Sequence, residues 1–166
     1  EKYKTFVKFY DYKMQLEREI DLPVKTDCFV TCVAYDEKSM IYGFTCTDKK
    51  IYFYQKGKIR IEFLKSIDTP VIENKIFYLQ KQGFWITSGR DHKIRQWDIA
   101  RQGSIIQEFQ VHSDDVTQIV EILNPKCIAS ASLDQTIVMF DLNTREIIRR
   151  IEENHEKGIL QLRYQP

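Results

Sequence analysis

Histidine, serine and aspartate occur in this sequence as His112, Ser130 and Asp134, the three residue types of a hydrolytic triad. In such a site an imidazole takes the proton of a serine hydroxyl, and a carboxylate orients the imidazole. The sequence contains no nucleophile elbow of the form Gly-x-Ser-x-Gly, and Ser130 lies in the stretch Ile-Ala-Ser-Ala-Ser. We therefore interpret the three residues as a hydrogen-bonded structural set rather than as catalytic residues.

Positively charged side chains in two short polar segments could bind acidic groups of a partner. The residues concerned are Lys49, Lys50, Arg90, His92 and Lys93. Arginine is enriched among the residues that contribute most to binding at interfaces, whereas lysines in exposed turns are commonly only solvated. The five residues are candidate partner-binding turns. The adjacent carboxylates of Asp114 and Asp115 lack the alternating ligand spacing of a calcium loop, so no metal site is predicted.

A repeat of constant length relates these segments to one another. Trp97 lies 43 residues after Tyr54 and 43 residues before Phe140. The same interval separates Asp48, Asp91 and Asp134. Within each interval, four short runs rich in β-branched and aromatic residues alternate with turn residues. A period of about 40–45 residues with Trp-Asp at the end of the third run is typical of four-stranded propeller blades.

The last full repeat shows the four predicted strands most clearly. They cover residues 116–122, 127–132, 136–142 and 146–151. Third runs such as Ile-Tyr-Phe-Tyr at residues 51–54 are apolar on both faces. Strands that are covered on both sides have this pattern, which is expected for a blade packed between two neighbours.

The repeat predicts three whole blades and two partial ones along the chain. Residues 1–21 form the second half of a blade, residues 28–67, 70–111 and 112–154 form whole blades, and residues 155–166 form the first strand of the next blade. Because a propeller is a closed ring in which the last blade meets the first, we expect this chain to be a segment of a longer protein with a larger ring.

The sequence resembles the WD-repeat β-propeller family over essentially its whole length. The closest copy consists of residues 111–117, 128–134 and 136–141. The resemblance implies an all-β fold of four-stranded antiparallel blades with a structural set of four side chains. In that scheme His112 precedes the first strand, Ser130 or Ser132 lies on the second and Asp134 lies in the turn before the third, while Phe140 takes the place of the tryptophan.

The other copies depart from the family pattern in different ways. The middle blade keeps Thr87, Asp91 and Trp97 but has Thr69 at the histidine position. The first blade keeps Asp48, with Tyr54, Phe44 and Thr26 at the tryptophan, hydroxyl and histidine positions. We therefore expect His112, Ser130, Asp134, Thr87, Asp91, Trp97 and Asp48 to form structural sets, none of them complete.

Composition and charge narrow the classes of partner. The chain has 25 basic and 24 acidic residues, a net charge of +1, which gives no electrostatic case for nucleic acid. Its apolar runs are only as long as strands, so no membrane-spanning helix is expected. The four cysteines, Cys28, Cys32, Cys46 and Cys127, contain no Cys-x-x-Cys pair. They are predicted to be free thiols, which favours a reducing compartment, the cytoplasm.

Three functions remain open from the sequence. The leading one is a non-catalytic protein–protein interaction scaffold within a multidomain or multisubunit assembly, for example a cytoskeletal or ciliary one. The second is a propeller that recognises an acidic or modified peptide, and the third is a domain that positions substrate for an enzyme encoded elsewhere in the parent chain. In each case the expected partners are other proteins, and no cofactor or small-molecule ligand is predicted.

Overall fold

The computed structural model of the protein describes residues 5–24, 27–100, 103–123, 127–152 and 155–165. All regular secondary structure in these ranges is β-strand, and the strands form four antiparallel sheets. The prediction of an all-β fold with four-stranded antiparallel blades is thereby confirmed. Across the same ranges, no helix is long and apolar enough to cross a membrane.

Each sheet is built from strands that follow one another along the chain. A two-stranded half-blade contains β1 (Thr5–Tyr10) and β2 (Leu16–Leu22). Blade 1 contains β3 (Val30–Asp36), β4 (Ile41–Cys46), β5 (Lys50–Lys56) and β6 (Ile61–Asp68). Blade 2 contains β7 (Glu73–Leu79), β8 (Phe84–Gly89), β9 (Ile94–Asp98) and β10 (Ser104–Phe109). Blade 3 contains β11 (Val116–Ile122), β12 (Cys127–Ser132), β13 (Ile137–Phe140) and β14 (Ile147–Ile151).

The segment after blade 3 differs from its predicted structure. Residues 155–165 were predicted to begin another blade, but they form no strand in the structure. The backbone N–H of Ile159 instead donates to the carbonyl of Ser132 at 3.0 Å. A first strand needs a second strand for its hydrogen-bond ladder, and no further strand follows among the described residues. The segment therefore lies against blade 3 without belonging to a sheet.

The hydrophobic core consists of layers between successive sheets. The layer between blades 1 and 2 contains Ile51, Phe53, Ile67, Ile76, Trp85 and Trp97. In this layer the ring of Phe53 meets that of Trp85 edge-on, with centroids 5.1 Å apart. A Cβ at Gly43 would lie 2.6 Å from the Trp85 ring, so only glycine allows this close approach. The apolar run of β5 at residues 51–54 is buried throughout, so it is covered on both faces as predicted.

Hydroxyl groups join the inner parts of the blades at equivalent places. The Thr31 hydroxyl of blade 1 donates to the Glu73 carbonyl of blade 2 at 2.7 Å. The Thr117 hydroxyl of blade 3 donates in the same way to the Ile159 carbonyl at 2.6 Å. The first bond, together with the apolar layer, holds blade 1 against blade 2, and the second holds the segment after β14 against blade 3.

Candidate functional site

The histidine, serine and aspartate of blade 3 meet in one buried hydrogen-bonded set. His112 lies in the loop before β11, and its Nδ1 is 2.9 Å from Asp134 Oδ2 in the turn between β12 and β13. Its Nε2 is 2.7 Å from the Ser130 hydroxyl on β12. Because a carboxylate only accepts hydrogen bonds, Nδ1 carries the proton and a neutral imidazole accepts from Ser130 at Nε2. The loop that enters the blade is thereby tied to the turn between its middle strands.

The protonation states of this set follow from its surroundings. Burial lowers the pKa of His112, although the neighbouring Asp134 acts in the opposite direction. Burial alone would raise the pKa of Asp134, but hydrogen bonds from the Ser113 backbone N–H and from Thr136 lower that pKa to about 2. A neutral imidazole therefore faces a charged carboxylate at neutral pH. Ser130 is fully buried, so its hydroxyl does not face a cleft that a substrate could enter.

The corresponding set of blade 2 has a different composition. The indole N–H of Trp97 donates to the Thr87 hydroxyl at 2.8 Å. Thr69, at the predicted histidine position, donates its hydroxyl to the Val71 carbonyl and does not reach Asp91. The partner of Asp91 is Arg95, which bonds to both of its carboxylate oxygens. An arginine on the third strand of the blade thus replaces the missing histidine.

Arg95 is fully buried and is shared by three carboxylates. Besides Asp91, its Nη1 donates to Glu73 Oε1 at 3.0 Å, and its Nε donates to Glu108 Oε1 at 2.8 Å. Glu73 is as deeply buried as Arg95, and Gly89 packs against both Arg95 and Asp91. A Cβ at Gly89 would lie 2.6 Å from Arg95 Nη1, so a side chain there would displace the guanidinium.

The four charges of this cluster shift one another's proton affinities. Burial raises the pKa of Glu73 to about 7, despite the opposing effect of Arg95. Its second oxygen, Oε2, has no hydrogen-bond partner among the described residues. Burial would raise the pKa of Asp91 as well, but the hydrogen bonds and charge of Arg95 keep it below its usual value. Hydrogen bonds from Lys93 and Arg95 lower the pKa of Glu108.

In blade 1 the turn aspartate, Asp48, is bound by a third kind of side chain. The Tyr52 hydroxyl donates to Asp48 Oδ2 at 2.7 Å. Burial, followed by this hydrogen bond, raises the pKa of Tyr52. Thr26, at the predicted histidine position of this blade, lies outside the described residues. Tyr52 and Arg95 are one repeat apart, so both blades anchor the aspartate from the same position on the third strand.

Sequence reasoning missed Glu73 and Arg95, although a signal for them exists. The residues one repeat before and after Glu73 are both valine, Val30 and Val116. Those one repeat before and after Arg95 are Tyr52 and Val138. Two opposite charges therefore enter the same copy at positions that carry no charge in the other copies. Comparing the copies position by position would have indicated a buried ion pair.

The five candidate partner-binding cations lie in or beside the β4–β5 and β8–β9 turns, and four of them contact other residues of the chain. Lys50 pairs with Asp68 at 2.7 Å and Lys93 with Glu108 at 3.0 Å. The Arg90 guanidinium is 3.4 Å from Asn74 Oδ1, and His92 Nδ1 is 3.4 Å from Asp115 Oδ1. Lys49 is exposed and makes no ion pair with any residue that the structure describes. Lys49 and the exposed Arg90 are thus the cations most open to a partner.

One group of side chains offers three possible metal ligands. In the described part of the chain, ligand atoms of His92, Asp114 and Asp115 lie within 4.8 Å of one another. All three residues are at least partly exposed, and the contact between His92 and Asp115 accounts for their proximity. The arrangement is that of a contact between the β8–β9 turn of blade 2 and the loop before β11 of blade 3.

The fold and the polar sets define a class of protein. Four-stranded antiparallel sheets, packed face to face and each anchored by an aspartate in the turn before the third strand, are blades of a β-propeller. Residues 103–141 match the family model of the WD domain, G-beta repeat. This stretch holds β10 to β13 with the whole set of His112, Ser130 and Asp134. The resemblance to WD-repeat propellers is confirmed by this match, and the four-stranded antiparallel sheets of the chain are consistent with a segment of such a propeller.

A comparison with curated proteins finds no match for the chain. The family match therefore supports only a general statement about function. WD repeats are, as a class, non-catalytic modules that mediate protein–protein interaction.

Proposed function

We propose that this chain is a non-catalytic protein–protein interaction scaffold within a larger multidomain or multisubunit assembly. The observation that carries the proposal is the burial of its polar chemistry. His112, Ser130 and Arg95 are all buried, and their polar atoms are bonded to other side chains of the same blade. Groups held in this way stabilise the blades, and contact with partners falls to the exposed turns and edges.

The sets and the bonds between blades support a rigid platform. Each set ties a turn to the body of its blade, and hydroxyl bonds such as that of Thr31 to Glu73 tie one blade to the next. A rigid surface loses little conformational entropy when a partner binds, which favours affinity for a given contact area. Such a surface suits a module that holds other proteins in a fixed arrangement.

A second candidate function is recognition of an acidic peptide by the turn face. The exposed side chains of Lys49 and Arg90 favour it, since they lie at the β4–β5 and β8–β9 turns of neighbouring blades. A peptide held mainly by these cations would lose most of its affinity in the Lys49→Glu, Arg90→Glu double variant. A large scaffold interface would lose little, because exposed charges contribute only about 0–1 kcal/mol each.

The compartment in which the scaffold acts is proposed from the thiols. Cys28, Cys32, Cys46 and Cys127 are free, and Cys46 and Cys127 are buried. Burial raises the pKa of Cys46 to about 12, so this thiol is held in its unreactive protonated form. Free buried thiols support a reducing compartment such as the cytoplasm.

Site-specific crosslinking of the full-length protein in its own cells tests the scaffold proposal. A photoreactive residue is placed at position 49 or 90 on the turn face, and at buried position 130 as a control. We expect discrete protein partners at the exposed positions and none at position 130. Two results would contradict the proposal: no partner at any exposed position, or a measured catalytic activity that disappears in a folded Ser130→Ala variant.

A further inference from the structure

A histidine and two aspartates meet where blade 2 faces blade 3. His92 comes from the β8–β9 turn, and Asp114 and Asp115 come from the loop before β11. One nitrogen or oxygen of each residue lies within 4.8 Å of those of the other two. Both blades have all four strands and pack against each other through a shared apolar layer, so the juxtaposition arises within the described structure. Imidazole and carboxylate groups together are ligands of divalent transition-metal ions.

The contact between His92 and Asp115 is not a hydrogen bond. His92 Nδ1 lies 3.4 Å from Asp115 Oδ1, yet this nitrogen is shielded from solvent and has no hydrogen-bond partner among the described residues. A polar atom held away from water without a partner is unfavourable. In the neutral tautomer with its proton on Nε2, Nδ1 and the carboxylate oxygen are both acceptors. A cation between the two atoms satisfies both of them.

The distance between these two atoms fits such an ion. Zinc binds imidazole nitrogen at about 2.0–2.1 Å and carboxylate oxygen at about 2.0–2.2 Å, with its ligands at the corners of a tetrahedron. Two ligand atoms are then about 3.3–3.5 Å apart. The 3.4 Å between His92 Nδ1 and Asp115 Oδ1 lies in this range. Asp114 is the third ligand, and its exposed side chain can rotate to close the remaining distance.

The charge of the loop also favours a cation. Among the described residues, no lysine or arginine forms an ion pair with Asp114 or Asp115, and the Asp114 carboxylate accepts only the backbone N–H of Asp115. Glu108, on β10 of blade 2, is by contrast held by Lys93 and Arg95. The loop therefore presents two carboxylates without a cationic side chain to the imidazole, and a divalent ion neutralises both.

Comparison of the copies shows that this set does not belong to the general blade pattern. The equivalent residues are Lys49, Val71 and Ile72 one repeat earlier and Gln135, Lys157 and Gly158 one repeat later. Residues that a blade itself requires recur with the repeat, as the turn aspartates do. The sequence predicted no metal site from the spacing of Asp114 and Asp115, because the third ligand comes from the preceding blade and not from the same loop.

We propose that His92, Asp114 and Asp115 bind a divalent transition-metal ion such as zinc, which joins the β8–β9 turn of blade 2 to the loop before β11 of blade 3. The nitrogen ligand disfavours calcium and magnesium, which take oxygen ligands. Three protein ligands leave a fourth position for water or for a side chain of a partner. The site goes beyond the scaffold function and does not depend on it.

Zinc titration of the full-length protein, followed by isothermal titration calorimetry, tests the proposal. In the main variant asparagine replaces His92, because asparagine tolerates the positive φ of 63° at this position and removes the imidazole. Loss of an outer partner of a metal ligand weakens binding by about 10–100-fold, so loss of the ligand itself in His92→Asn should weaken zinc binding at least as much. Asp115→Ala should have a similar effect. His155→Asn, at an exposed histidine after blade 3, is the matched control and should leave the affinity unchanged.

Cobalt distinguishes this site from binding by the free cysteines. The visible spectrum of the bound cobalt ion should show no thiolate band and should disappear in His92→Asn, while thermal unfolding without metal confirms that each variant is folded. If His92→Asn is unfolded, Asp115→Ala carries the same test. No binding of zinc or cobalt, unchanged affinity in the two ligand variants, an equal loss in His155→Asn, or displacement of zinc by an equal concentration of calcium would each overturn the proposal. Crosslinks from positions 49 and 90 would in those cases still support the scaffold.

Discussion

Blades 2 and 3 hold the same turn in place with different chemistry. In blade 3 the turn aspartate, Asp134, is bound by a neutral imidazole, and that imidazole is completed by a serine hydroxyl. In blade 2 the equivalent Asp91 is bound by the buried guanidinium of Arg95, which Glu73 and Glu108 also share. The conserved element is the aspartate and the turn it closes. The group that binds the aspartate is exchangeable, provided it reaches the same position.

The two polar sets differ in how much stability is lost when one of their residues is substituted. A buried charge without its partner costs several kcal/mol, whereas a neutral donor or acceptor without its partner costs about 1–3 kcal/mol. Blade 2 buries both Arg95 and Glu73, while blade 3 buries a neutral imidazole. Blade 2 should therefore be the more sensitive of the two to single substitutions.

The largest effect is expected for Arg95→Met. The substitution removes the counter-charge that Glu73, Asp91 and Glu108 share, so the free energy of unfolding should fall by about 3–5 kcal/mol. Urea denaturation of the full-length protein measures the change. Arg90→Met, at an exposed arginine five residues earlier, is the matched control and should change stability by less than about 0.5 kcal/mol. The double variant Arg95→Met, Glu73→Gln should recover part of the loss, and equal losses in the single and double variants would contradict the ion-pair explanation.

The two blades should also respond to pH in opposite directions. Burial raises the pKa of Glu73 from 4.5 to about 7, so between these values the folded chain holds a proton that the unfolded chain has released. The protonation of Glu73 therefore stabilises the folded chain at low pH. This contribution, about 3 kcal/mol in total, is lost as the pH rises through 7. The pKa of His112 is instead lowered from 6.5, so its contribution is present above pH 6.5 and is lost as the pH falls below that value.

Single variants should expose the two opposing pH responses. In Glu73→Gln the free energy of unfolding should increase with pH up to 6.5, because only the His112 contribution remains of the two. In His112→Gln it should decrease over the same interval. Thermal or urea unfolding at several pH values measures both slopes, and titrating groups outside the two sets contribute equally to the two variants. Identical slopes would show that at least one of the two groups titrates normally in the folded chain.

A smaller loss is expected for His112→Ala. The substitution leaves the buried Ser130 hydroxyl and Asp134 carboxylate without the imidazole, which should cost about 1–3 kcal/mol. Ser113→Ala, at the exposed neighbour whose backbone N–H binds Asp134, keeps that bond and is the matched control. A thermal midpoint that does not shift in His112→Ala would exclude a stabilising role for the blade 3 set.

The repeat predicts the strands and the set of blade 3, but not the partner of the aspartate in blade 2. The strands follow from local residue patterns that recur every 43 residues, and His112, Ser130 and Asp134 keep the residue types of the family. The partner of Asp91 could not be found in the same way, because Arg95 reaches the aspartate from a strand rather than from the loop that carries Thr69. The identity of a buried partner depends on packing between strands, which a single copy does not reveal.

Ion pairs on the turn face were also beyond prediction from the sequence. The cations Lys50 and Lys93 pair with Asp68 and Glu108, both on the outermost strand of their blade. That strand is shifted by the bulge at Leu64 or Ile106, so partners across the sheet cannot be counted from the sequence alone. The five cations were predicted as one open cluster, whereas only Lys49 and Arg90 remain well exposed.

The smallest effects are expected at a turn position that all three blades share. Lys49, His92 and Gln135 lie one repeat apart and have positive φ values of 61°, 63° and 72°. A residue with a side chain pays about 1 kcal/mol for this left-handed conformation, while glycine adopts it freely but loses more entropy on folding. Each substitution to glycine should therefore raise the free energy of unfolding by about 0.5 kcal/mol, and alanine at the same position should give no gain.

The three glycine variants also test the contact between blades 2 and 3. Only His92 among the three lies near a charged group of the next blade within the described structure, since its Nδ1 is 3.4 Å from Asp115. If that contact stabilises the chain, His92→Gly should gain less than Gln135→Gly and Lys49→Gly, and Asp115→Asn should remove the difference. Equal gains in the three variants, measured by thermal unfolding, would mean that the backbone conformation alone decides the effect and that the contact between His92 and Asp115 contributes nothing.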